Sequence, residues 1–146
     1  MHKLIQLREA GAGAEEIGAI LAPDVVFRSP ILSRSVIGRD AVARAMVGAI
    51  AVREGHYVTE MSDGNLTLLV WRGTVDGLPL DSFEMLLHDD AGLVVERSVA
   101  MRPFASLLAF RLAFHERMKD VLDPAYFELP STSEPTGPSS ASRGND

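Results

Sequence analysis

The stretch that decides the fold runs from Leu66 to Met101, LTLLVWRGTVDGLPLDSFEMLLHDDAGLVVERSVAM. It holds three strand-forming runs, Leu66 to Val75, Leu80 to His88 and Leu93 to Met101, separated by Asp76-Gly77 and by Asp89 to Gly92. Asp-Gly between two apolar runs is a strong hairpin signal, because both residues tolerate the positive φ of a tight two-residue turn. A fourth run, His56 to Met61, precedes them across Ser62-Asp63-Gly64. The segment is therefore predicted to form an antiparallel meander of four strands.

Upstream, Val42, Ala45, Met46, Ala49 and Ile50 recur at helical spacing, which predicts an amphipathic helix over Arg39 to Val52. Val25-Val26-Phe27 starts a strand, Pro30 holds Ser29 extended, and Ser33 to Gly38 reads as a short hairpin return. Two short helices are predicted before that, one carrying Leu4, Ile5 and Leu7 and one over Ala14 to Leu21. Gly11-Ala12-Gly13 separates them, and Pro23-Asp24 ends the second. Downstream, Pro103 opens a helix running to about Leu122, where Phe104, Leu107, Leu108, Phe110, Leu112, Phe114 and Met118 cover more than half the circumference. That excess of apolar surface calls for a pocket lid or a partner subunit. The expected fold is α+β: a cone-shaped, curved antiparallel sheet wrapped around the N-terminal helices and enclosing a pocket, with a C-terminal helix. Residues 1–128 form the expected domain. Residues 129–146, rich in Ser, Thr, Pro and Gly, are expected to be a disordered tail.

Composition narrows the function classes. The chain has 146 residues and a net charge of −6, and its arginines Arg28, Arg34, Arg39, Arg44 and Arg53 interleave with Asp24, Asp40, Glu54 and Glu60. Such interleaving reads as a solvated ion-pair surface, not a phosphate-binding patch, so no nucleic-acid partner is expected. No apolar run reaches the roughly 18 residues of a membrane span, and Met1 to Gln6 is too short and polar for a secretory signal. A cytoplasmic protein without a membrane partner is expected. Cysteine is absent, which removes thiol catalysis and cysteine-based zinc sites. The histidines and acids lack metal-ligand spacing, so neither a metal nor a cofactor is expected. His56, His88 and His115 read as solvated or locally bonded, with His88 facing outward before a turn.

Three stretches carry a family resemblance: LAPDVVFRSP from Leu21 to Pro30, IGRDAV from Ile37 to Val42, and VAMRPF from Val99 to Phe104. Together, in this order, they resemble the SnoaL-like branch of the nuclear transport factor 2-like superfamily over roughly Leu4 to Met118. That superfamily includes ketosteroid isomerases, polyketide cyclases, epoxide hydrolases and dehydratases, so the resemblance implies a fold and leaves the chemistry open. It also implies a sheet-to-sheet homodimer. The isomerase base, an Asp before a Pro on the first strand, is replaced here by Ser29. The position of its oxyanion-hole Tyr falls near Ile5. The second oxyanion-hole donor, a protonated Asp, corresponds to Asp81 in Leu80-Asp81-Ser82-Phe83. Asp81 is also the acid that the cyclase pattern suggests.

Alternation on Leu80 to His88 separates Asp81, Phe83, Met85 and Leu87 from Ser82, Glu84, Leu86 and His88. An acid among Phe83 and Met85 is expected to face the pocket as a catalytic acid, the alternative being a solvated strand-end carboxylate. Trp71 shares a face with Gly73, whose missing side chain leaves room beside the indole. It is either a ligand platform or a core aromatic. Arg97 and Met101 share a face of the last strand, so Arg97 is expected as a pocket partner for Asp81 or as a rim residue. Ser29 is expected as a polar pocket wall. The substrate-binding set is thus Ser29, Trp71, Phe83, Arg97 and Met101. The expected ligand is an apolar or polycyclic small molecule, either turned over by acid–base chemistry (cyclisation, isomerisation or dehydration) or simply bound. Leu66, Leu68, Val70 and Leu86 are expected on an uncovered outer sheet face, which would pair two copies.

Overall fold

In the computed structural model, which describes residues 1–129, Asp76 and Gly77 both take positive φ (49° and 75°), closing a two-residue turn. The turn joins β4 (Leu66–Val75) to β5 (Leu78–His88) with Val75 opposite Leu78, and so fixes Trp71 opposite Ser82 and Arg72 opposite Asp81. β3 (Glu54–Asp63) pairs antiparallel with β4, and β6 (Val94–Arg102) with β5, completing the expected meander.

β1 (Leu21–Arg28) lies beside β6 and runs parallel to it, while β2 (Val36–Ile37) returns antiparallel to β1. The open six-stranded sheet has the order β2-β1-β6-β5-β4-β3 and is mixed, not wholly antiparallel. The parallel pair arises because α3 (Arg39–Ala51) and the meander intervene between β1 and β6, a long crossover of the kind parallel neighbours need. β1 also begins earlier than expected: Leu21, assigned by periodicity to the second helix, pairs with Val94, and a register shift between Leu21 and Val26 absorbs Pro23. The two N-terminal helices are accordingly short, α1 over Lys3–Glu9 and α2 over Ala14–Gly18.

The core lies between the inner sheet face and the helices. α3 contributes Val42, Ala45, Met46 and Ala49, as its periodicity predicts, and α4 (Phe104–Met118) contributes Phe110, Phe114 and Met118. Phe104, Leu108 and Leu112 follow one another at i, i+4, i+8 on the exposed side of α4. Pro103 is the N-cap of α4, and a 3₁₀ turn, Pro124–Phe127, packs back with Phe127 against Phe114. Among the described residues no helix is long and apolar enough to cross a membrane. The expected tail, apart from Leu129, lies outside the described residues.

Candidate functional site

The side chains facing the interior include an unusual number of charges. On β5 the buried face is Leu80, Ser82, Glu84 and Leu86, while Asp81 is only half-buried and Phe83 is 41% exposed. The expectation for β5 is therefore reversed: Glu84 enters the interior, and Asp81 and Phe83 lie on the outer face. Asp81 sits there between its register neighbours on both sides, accepting from Arg102 Nε at 3.2 Å with Arg72 Nε at 3.7 Å. It is part of an exposed ion-pair row across β4, β5 and β6, not a pocket acid.

Glu84, 2% exposed, is the centre of a closed network. Arg97 Nη2 donates to its Oε2 at 2.9 Å, Ser82 Oγ donates to Oε1 at 3.0 Å, and the Tyr57 hydroxyl lies 3.2–3.3 Å from both oxygens. Arg8, reaching in from α1, donates to the Tyr57 oxygen at 2.7 Å and approaches Oε1 at 3.8 Å. Burial pushes the Glu84 carboxyl up, but the guanidiniums of Arg97, Arg53 and Arg8 outweigh it and hold the pKa at about 2. Burial and the Glu84 charge raise the Tyr57 hydroxyl above its ordinary value. Of the two readings open for Arg97, pocket or rim, the structure places it in the interior, with Glu84 rather than Asp81 as its partner.

Arg53 follows α3 and, contrary to the expected surface placement, turns inward and is only 7% exposed. Its guanidinium lies over the Trp71 ring at 4.7 Å and the Phe110 ring at 5.3 Å, a cation held between two aromatic faces. Its Nε and Nη1 are buried without a hydrogen-bond partner among the described residues. Burial, and then the nearby Arg8, press its pKa down to about 9, which still leaves it charged at neutral pH. Trp71 has its place because β3 and β4 present Gly55 and Gly73 opposite each other. A Cβ at either position would collide with the indole and with neighbouring backbone.

Beside Arg53 is a cavity of about 10 Å³, walled by Ser29, Ile31, Arg97, Met101, Phe110 and Phe114 among others. Ser29 is half-buried and its Oγ accepts from the Ile31 N–H at 3.3 Å. A wider, open cleft of about 520 Å³ reaches Arg53 from the other side, between the end of α3 and the Asp76-Gly77 turn. Of the expected site residues, Ser29, Arg97 and Met101 therefore share one cavity, Trp71 lies behind Arg53, and Asp81 and Phe83 are apart. The interleaved charges point Arg53 to the surface, and nothing in the local sequence marks Arg8 or Tyr57. The register that follows from the Asp-Gly turn was the available signal, because it puts Trp71 opposite Ser82 and hence on the face of Glu84.

Solved structures resemble this architecture over most of its length. A steroid delta-isomerase from Pseudomonas aeruginosa superposes with a TM-score of 0.74 at 25% identity, covering 79% of this chain and 85% of that one. An uncharacterized protein with a cystatin-like fold from Silicibacter pomeroyi DSS-3 gives 0.74 at 29% identity, over 82% and 87%. An NTF2-like protein of unknown function from Mesorhizobium loti gives 0.61 at 16%, over 69% and 86%. No protein-family model matches the chain, and no curated protein matches it. These likenesses show that the chain has the fold of the nuclear transport factor 2-like proteins.

Proposed function

We propose that the chain binds a small molecule of largely apolar body between its sheet and helices, without acid–base turnover. The observation that carries this reading is the setting of Glu84: the acid that enters the interior is already engaged by Arg97, Ser82 and Tyr57, next to a cavity walled by Met101, Phe110 and Phe114. A general acid or base works best with a pKa near the operating pH, and Glu84 is far from it. By the family resemblance Ser29 stands where an isomerase carries its base, and Asp81 lies on the outer sheet face. The reading as an acid–base isomerase, cyclase or dehydratase draws its support from the likeness to the steroid delta-isomerase.

Trp71 is the only tryptophan in the sequence, so its fluorescence reports directly on the interior. Titration with a Δ5-3-ketosteroid and with naphthalene derivatives is expected to give a saturable change in emission. Ultraviolet absorbance is expected to show no conversion of the ketosteroid to its conjugated enone above the buffer rate. Turnover that Tyr57→Phe abolishes would transfer the chain to the enzymatic reading. Absence of any saturable emission change would remove the binding reading.

A further inference from the structure

Arg8, Arg53 and Arg97 converge on the interior with Glu84 as the carboxylate among them, leaving an excess of two positive charges. Arg97 and Arg8 are engaged with Glu84 and Tyr57, whereas Arg53 has two buried nitrogens with no acceptor among the described residues. A buried N–H without a partner costs free energy, more so when it belongs to a charged group. The two aromatic rings attract the cation through their faces but accept no conventional hydrogen bond from its in-plane N–H groups. The arrangement is complete for an anion and incomplete without one.

We propose that the bound molecule is an organic carboxylate, one anionic oxygen accepting from an unpartnered N–H of Arg53 and its apolar body lying against Ile31, Met101, Phe110 and Phe114. This rests on the small-molecule reading above and narrows its ligand class. The cavity of about 10 Å³ has room for about one water, or one carboxylate oxygen, so the body of the ligand enters by displacing apolar side chains. Ser29, Pro30 and Ile31, on the loop between β1 and β2, form the wall not built on a helix or strand. Glu54 and Asp76 line the wider outer cleft, which makes it the less favourable side for an anion. The neutral amide of the same carboxylate has the same size but no charge to offset the guanidinium excess, and selectivity between the two is the signature of the site.

The test is calorimetric titration of the full chain with benzoate, cinnamate and octanoate, each against its own primary amide. At least one carboxylate is expected to saturate one site per chain, with its amide at least tenfold weaker. Arg53→Met, which keeps the apolar contacts of the side chain, is expected to retain a cooperative melting transition and to lose the preference for the carboxylate. The Arg53 Nε–H resonance of the unmodified protein, shifting in step with carboxylate binding, gives a readout that requires no substitution. Equal affinity for acid and amide, or undiminished carboxylate binding by Arg53→Met, would overturn the anion site and leave small-molecule binding intact. No saturation by any of the six compounds would also overturn the carboxylate site, while the binding reading itself stands or falls on the Trp71 titration.

Discussion

Glu84 and Arg53 are buried charges of opposite standing: one has more partners than it needs and the other too few. Removing the charge of Glu84 by Glu84→Gln leaves Arg97, Arg8 and Arg53 facing one another in a low-dielectric interior. We expect a loss of about 3–5 kcal/mol in urea unfolding, the cost of breaking a buried pair from one side. Arg53→Met removes buried N–H groups without acceptors at the cost of the attraction to Glu84 and the ring contacts, and we expect it to be neutral or to stabilise the unliganded protein by up to about 1–3 kcal/mol. The contrast is what identifies Arg53 as a group retained for a ligand, since a purely structural arginine would lose stability on substitution. Glu84 also sets an acid limit. Its folded pKa of about 2 lies below the ordinary 4.5, so its contribution is complete above pH 4.5 and lost as the pH falls towards 2. The stability of Glu84→Gln should be flatter than that of the parent across this interval. Equal slopes in the two proteins would show that Glu84 is not the group responsible.

At the scale of elements, β5 shows why the fold was legible and the site was not. Helical and strand periodicity located α3, α4 and the meander, because each buries one side against the same core. β5 is apolar on both sides: Leu80 and Leu86 face in, while Phe83 and Met85 belong to the outer face. Alternation separates these sets without saying which is inside, and aromatic Phe83 pointed to the wrong one. Pairing decides it, since Arg97 lies opposite Leu86 and therefore on the side of Glu84. Arg53 was illegible for a different reason: it follows a helix in a charge-rich stretch, and only tertiary packing turns it inward. α1 shows the same dependence on distant partners, since seven residues are too few to hold a helix alone. Its N-cap, His2, accepts the Leu4 N–H on Nδ1, which puts the proton on Nε2 facing His88 Nε2 at 2.8 Å. His88, expected to face outward, instead accepts that hydrogen bond on Nε2 and donates its own Nδ1–H to the Asn65 carbonyl at 3.0 Å. Protonating His2 adds its hydrogen at Nδ1, where the Leu4 N–H now donates, and so breaks the N-cap that anchors α1 beside the bridge. Burial, with His88 next, lowers the His2 pKa, and Glu60 and Glu84 oppose this. A histidine pKa lowered by folding gives stability that is complete above 6.5 and lost as pH falls below it. Amide exchange over residues 3–9, corrected for intrinsic rates, is therefore expected to lose protection between pH 7.5 and 5 while α3 keeps its own. His88→Gln should flatten that response, and unchanged protection of α1 across the interval would dismiss the bridge as a pH-sensitive clamp.

For the whole molecule, the remaining question is what covers the outer face of the sheet. Met61, Leu68 and Met85 line up across β3, β4 and β5, and Thr59, Val70, Phe83 and Ala100 form the next row out to β6. Leu86, expected in this patch, is fully buried on the inner face and drops out of it, while Leu68, Met61 and Phe83 are exposed. One end of the patch is bounded by the Arg72, Asp81 and Arg102 row and the other by the Arg28–Glu96 pair. Both boundaries carry both signs of charge, so a second copy rotated by a two-fold axis can meet the patch with acids opposite arginines and the apolar rows in contact. We propose a homodimer through this face. α4 offers a competing surface in Phe104, Leu108 and Leu112, but a single stripe on one helix brings no such pairing of charges. Light scattering after size exclusion at micromolar concentration should give twice the chain mass for the parent and for Leu112→Glu, and the single-chain mass for Phe83→Asp. A charge at Phe83 would be desolvated at the centre of the patch in the dimer and solvated in the monomer, which shifts the equilibrium towards dissociation. A monomeric parent would exclude the dimer, and a dimer lost in Leu112→Glu but kept in Phe83→Asp would move the interface to α4.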